Sequence, residues 1–76
     1  MTEPHHLNCT GMLCPQPVIE LARAVKHAET GTKFNIVTDD PAAAVDIPAW
    51  SRMRGHACVL LASEGSVLTH QVLVVR

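Results

Sequence analysis

Apolar residues recur along this chain with two different periods. Val18, Leu21, Ala22, Val25 and Ala28 fall at i, i+3, i+4, i+7 and i+10, one stripe of a 3.6-residue repeat. They predict a first helix over Pro15 to Ala28, with Gly31 as its stop. Strand patterns flank it. His5 to Cys9 predicts a short first strand with Leu7 inward, after a frayed end at residues 1 to 4. Lys33 to Thr38 predicts a second, with Phe34 and Ile36 on one face and Asn35 and Val37 on the other.

Asp40-Pro41 predicts the start of a second helix, with an N-cap carboxylate before a proline at the first helical position. Pro48 predicts a kink or break near Asp46-Ile47-Pro48, with Asp46 capping a second half that runs to about Arg54. Gly55 suits the C-terminal cap. His56 to Ser63 predicts a third strand, although Val59-Leu60-Leu61-Ala62 is apolar on both sides. Glu64-Gly65 predicts a tight turn, and Ser66 to Val75 a fourth strand in which Leu68, Val72 and Val74 alternate with Thr69 and Gln71. The order β-α-β-α-β-β predicts an α+β fold: a two-layer α/β sandwich with a four-stranded mixed sheet and both helices on one face.

Composition narrows the function. At 76 residues the chain is expected to form a single domain over 1–76 with a small core, since such a length buries only about 60% of its unfolded surface. One Phe, one Trp and no Tyr make that core aliphatic. A formal charge of −1 shows no basic patch, so direct nucleic-acid binding is not expected. No apolar run is long enough to span a membrane. The N-terminal residues carry no signal-peptide pattern, and three cysteines make an odd count. Together these predict a cytoplasmic protein with free thiols.

The chemistry concentrates in Gly11-Met12-Leu13-Cys14-Pro15-Gln16-Pro17. With Pro15 at the first helical position, Cys14 is the predicted N-cap and its thiol is exposed. A helix N-terminus favours negative charge by up to about 2 kcal/mol, which lowers a thiol pKa by about 1.5 at most. Leu13 and Gln16 bring no positive charge. The expected thiol is moderately activated, suited to accepting and yielding a group, and lacks the base and oxyanion site of a cysteine hydrolase. Cys58 reads as a small buried hydrophobe. Cys9 reads as a strand-end structural cysteine, with a resolving thiol as the alternative. His5, His6, Cys9 and Cys14 are potential soft-metal ligands, but the C-x4-C spacing is looser than a zinc knuckle, and no metal is expected. His5 and His6 read as solvated, His56 and His70 as surface or satisfied, partly buried side chains.

Gly11 to Pro17 resembles the G-L-x-C-P-x-P turn of the TusA/SirA-like sulfur-carrier family. The resemblance continues through Asp39-Asp40-Pro41, Asp46-Ile47-Pro48 and Trp50 to Gly55, with matching spacing over essentially the whole chain. It implies the same β-α-β-α-β-β sandwich and a persulfide carried on Cys14. Gly11, Pro15, Pro17 and Asp40 would support that site, and Met12, Leu13, Gln16, Trp50 and Met53 would meet partners. The implied donor is a cysteine desulfurase, itself using pyridoxal phosphate, and the implied recipient a downstream acceptor protein. The carrier itself needs no cofactor and is not a stand-alone catalyst. The best-known branch ends in 2-thiouridine of tRNA; others serve molybdenum-cofactor synthesis, sulfur oxidation, or thiosulfate and selenium metabolism. Met12 replaces the usual Leu, a volume-preserving change. Leu13, Gln16 and Ala22 stand where the thiouridine branch often carries charged residues. Two other functions fit the residues: a regulatory interaction module docking through Met12, Leu13, Trp50 and Met53, and a thiol-redox or metal-binding protein using Cys9 and Cys14.

Overall fold

The computed structural model describes residues 3–75. Four strands and two helices follow in the expected order: β1 (His5–Asn8), α1 (Gln16–Lys26), β2 (Lys33–Thr38), α2 (Pro41–Met53), β3 (Ala57–Glu64) and β4 (Val67–Leu73). The sheet order is β1-β2-β4-β3. β1 runs parallel to β2, while β2 and β3 both pair antiparallel with β4. Met1 and Thr2 of the expected frayed end lie outside the described residues.

The two helices cover one face of this mixed sheet. Phe34, Ile36 and Thr38 of β2 are buried while Asn35 and Val37 between them are not, the alternation of a sheet covered on one side. Leu21 and Val25 from α1, Ala43 and Ile47 from α2, Phe34 and Ile36 from β2, and Val72, Val74 and Cys9 form the core. Leu7, Val18 and Ala28 pack around it as the pattern predicted.

Three local expectations are corrected. α1 begins at Gln16 with Pro15 as its N-cap residue, so Pro17 is the proline inside the first turn and Cys14 lies outside the helix. The Cys14–Pro15 bond is cis, and the Gln16 N–H closes a turn onto the Leu13 carbonyl at 2.9 Å. At its other end α1 stops at Lys26, short of Ala28. There the chain pairs with the residue just past β4: the Gly31 N–H bonds the Val74 carbonyl at 2.9 Å, and the Val74 N–H bonds that of Thr32 at 2.8 Å.

The second correction is in α2, which runs unbroken through Pro48. Ala43, Ile47 and Ser51 form one buried row at i, i+4 and i+8, and burial of that row outweighs the local penalty of the proline. Asp46 is therefore in mid-helix and caps nothing. The expected caps do form. The Asp40 side chain accepts the Ala42 N–H at 3.1 Å. Past the C-terminus, the His56 N–H bonds the Ser51 carbonyl at 2.8 Å and the Gly55 N–H bonds that of Arg52 at 3.2 Å, a Schellman motif with Gly55 at φ +81°.

The third correction is His70. It is buried on the helix-facing side of β4 with its Nδ1 unpartnered. It extends inward the row of Val72 and Val74, a register that the alternation of Leu68 with Thr69 allowed but the polar side chain concealed.

Candidate functional site

Cys14 occupies the loop between β1 and α1, and that loop is tied to the start of α2. Gly11, at φ +81°, turns the chain so that its N–H reaches Asp39 Oδ1 at 2.9 Å. The Met12 N–H closes onto the Cys9 carbonyl at 3.2 Å. The Cys14 N–H donates to Asp40 Oδ2 at 2.6 Å, a charge-assisted bond. Asp40 thus uses one oxygen to cap α2 and the other to fix the cysteine backbone. The residue pattern alone marked Asp40 as a cap, and its expected supporting role at Cys14 came from the family resemblance.

The thiol itself donates to Asp46 Oδ2. This contact corrects the expected electrostatics. The Cys14 thiol is half-buried, not fully exposed. Its pKa is pushed up to about 11, first by the hydrogen bond to Asp46, then by burial and by the negative charges of Asp46 and Asp40. Cys14 is not the residue that caps α1, and the carboxylates of Asp46 and Asp40 raise its pKa where a helix N-terminus was expected to lower it. The resting group is a hydrogen-bonded thiol.

A groove of about 260 Å³ opens beside it, lined by Cys14, Pro15, Val18, Asp46, Ala49, Trp50 and Met53. Asp46, Ala49, Trp50 and Met53 stand at i, i+3, i+4 and i+7, so one face of α2 supplies the carboxylate and most of the apolar wall. A larger hollow of about 550 Å³, lined by residues including Lys26, Trp50, Arg54 and His56, contains no thiol.

The other sequence-selected residues divide. Met53 and Leu13 are both 78% exposed. Met53 lines the groove, while Leu13 stands on the loop next to the cysteine. Trp50 is half-buried against the core, with its ring 5.7 Å from that of His56. Met12 also packs against the core. Pro17 is buried. Gln16 turns along its own helix and donates to Glu20 Oε2 at 2.7 Å. Asp46, Val18 and Ala49 complete the groove and were not selected. The signal for Asp46 was its heptad-like spacing with Trp50 and Met53, hidden by the kink or break expected at Pro48.

The remaining cysteines have different settings. Cys9 is 2% exposed, inside the core, and burial followed by the Glu20 charge raises its pKa. Cys58 is half-buried on β3, where burial raises its pKa against an opposing hydrogen bond from Ser51. It faces a smaller hollow with Pro48, Arg52 and His56. All three thiols are free. Among the described residues no group of three or more His, Cys, Asp or Glu side chains is arranged to hold a metal ion, and no helix is long and apolar enough to cross a membrane.

Comparison with known proteins adds two findings. Residues 5–75 match the model of a family described as sulfurtransferase TusA. The fold is similar to the crystal structure of a SirA-like protein from Desulfitobacterium hafniense, with a TM-score of 0.79 at 19% sequence identity, covering 90% of this chain and 93% of that one.

Proposed function

This chain is a member of the TusA sulfurtransferase family, and on that premise we propose that it carries sulfane sulfur as a persulfide on Cys14 between a donor and an acceptor protein. The observation that carries the reading is the anchoring of the Cys14 backbone to Asp40 Oδ2, which holds the thiol at a groove with apolar walls. A carrier must present its cargo to successive partners in one geometry, and a loop pinned to a helix start does so without ordering the thiol anew at each encounter. Gly11, Pro15 and Pro17 shape that loop.

The donor in this reading is a pyridoxal phosphate-dependent cysteine desulfurase, and the carrier needs no cofactor of its own. The recipient is a protein of tRNA 2-thiouridine synthesis or of a related sulfur pathway. Leu13 and Met53, the most exposed apolar residues around the thiol, meet those partners, with Met12, Gln16 and Trp50 behind or beside them. The neutral Leu13, Gln16 and Ala22 set this docking face apart from that of the thiouridine branch. Work of this kind belongs in the cytoplasm and needs no contact between this chain and nucleic acid.

Incubation with a cysteine desulfurase and cysteine tests the reading by intact mass. The wild-type chain gains one sulfur atom and Cys14→Ser does not. If Cys9→Ser or Cys58→Ser abolishes loading while Cys14→Ser leaves it intact, the cargo sits elsewhere. If Cys14→Ser keeps full activity in cells, the chain acts as a docking module and not as a carrier.

A further inference from the structure

Persulfide transfer moves a proton as well as a sulfur atom, and the site holds one group placed to manage it. The Cys14 thiol donates to Asp46 Oδ2. Among the described residues the Asp46 carboxylate has no other hydrogen-bond partner, whereas both neighbouring carboxylates are engaged: Asp39 by the Gly11 N–H, Asp40 by the N–H groups of Cys14 and Ala42. The rest of the groove brings no ionisable side chain. Pro15 and Val18 come from the start of α1, and Ala49, Trp50 and Met53 from α2. The first turn of α1 carries no acidic residue.

We propose that Asp46 is the catalytic proton acceptor of the carrier, taking the Cys14 thiol proton as the sulfur attacks and returning it to the sulfur that leaves. This inference rests on persulfide carriage by Cys14. In loading, the thiol meets a donor persulfide, R–S–SH. The Sγ–H bond breaks toward Asp46 Oδ2 as Sγ bonds the outer sulfur of the donor. The donor S–S bond breaks with its electron pair on the inner sulfur, which then takes the proton from Asp46. Cys14–SH and R–S–SH become Cys14–S–SH and R–SH, with no net oxidation and no proton released.

The electrostatics agree with this role. With a pKa near 11, about one thiol in ten thousand is ionised at neutral pH, so a mechanism that waits for free thiolate is starved of nucleophile. A carboxylate in contact removes the proton only when S–S bond formation acidifies it.

Single-turnover loading from a pre-persulfidated desulfurase, followed by intact mass against pH, tests the proposal with Asp46→Asn. The ultraviolet titration of thiolate in the variant should move from about 11 toward the ordinary value near 8.5. Loading at neutral pH should nevertheless fall by about tenfold or more. The ratio of wild-type to variant rate should grow about tenfold for each unit of pH below about 8.5, as the variant comes to depend on free thiolate. Taking the ratio cancels any titration of the donor. Asp46→Glu, which keeps the carboxylate, should retain the wild-type profile at a lower rate. A variant Asp46→Asn that loads as fast as wild type or faster, or a rate ratio independent of pH, overturns the proposal and leaves Asp46 as a restraint on the thiol. Loading of Cys14→Ser would overturn the carrier reading itself. Failure of Cys14→Ser to load, together with full-rate loading of Asp46→Asn, would overturn the proton role alone.

Discussion

Asp40→Ala removes two hydrogen-bond acceptors at once, and the structure sets the size of the loss. One oxygen caps α2 through the Ala42 N–H at 3.1 Å, and removing such a cap costs about 1 kcal/mol. The other accepts the Cys14 N–H at 2.6 Å, and a bond to a charged acceptor contributes about 1.5–3 kcal/mol. The expected total is about 3 kcal/mol, a large share of the 5–15 kcal/mol typical of a folded domain. At about 4–8 °C per kcal/mol for a domain of this size, the melting temperature should fall by roughly 15 °C. Asp40→Asn refines the test. An amide has one oxygen and one NH2, so it satisfies one of the two N–H groups and confronts the other with a donor. Its stability should lie about midway between wild type and Asp40→Ala. Urea denaturation followed by circular dichroism, with unchanged m-values, measures all three. A loss of about 1 kcal/mol in Asp40→Ala, the value of a cap alone, would refute the claim that Asp40 holds the cysteine loop. So would an Asp40→Asn variant as stable as wild type.

Two further outcomes follow from the core. Ile47→Ala empties a fully buried site on the helix that carries Asp46, and should cost about 2–5 kcal/mol by the same denaturation. His70 is held below its usual pKa by burial. The unfolded chain therefore binds a proton that the folded chain resists as pH drops through about 6.5. The His70 contribution to stability is complete above that pH and declines below it, so the urea midpoint should fall between about pH 7 and pH 5 in wild type and fall less in His70→Leu.

Local chemistry made most of the fold legible. β2 begins and ends at Lys33 and Thr38 as the alternation predicted. The Asp40-Pro41 start and Gly55 stop of α2 rest on interactions within a few residues, which sequence expresses directly. The misreadings share a different cause. The placement of Cys14 depends on Asp40 and Asp46, 26 and 32 positions away, and no local rule reports such a tie. Pro48 obeys the fold and not its propensity, because the row of Ala43, Ile47 and Ser51 is buried. The thiol pKa departs from the helix-dipole expectation for the same reason: the carboxylates of Asp40 and Asp46 fold against it from distant positions in the chain. His70 shows the converse, a polar residue at an inward position of a regular alternation.

The outer edge of the sheet also bears on how the molecule lives among other proteins. β3 has a partner on one side, β4, and carries Val59, Leu60 and Leu61, each more than half exposed. An apolar strand with a free row of N–H and C=O groups is a template for adding further strands. The pairing of β3 with β4 slips at Leu61, between the Leu60–His70 and Ala62–Thr69 pairs, and a bulge of this kind bends a strand and increases its twist. Bulges are among the features that blunt an edge strand against further pairing, and here one falls among the exposed aliphatic side chains of β3.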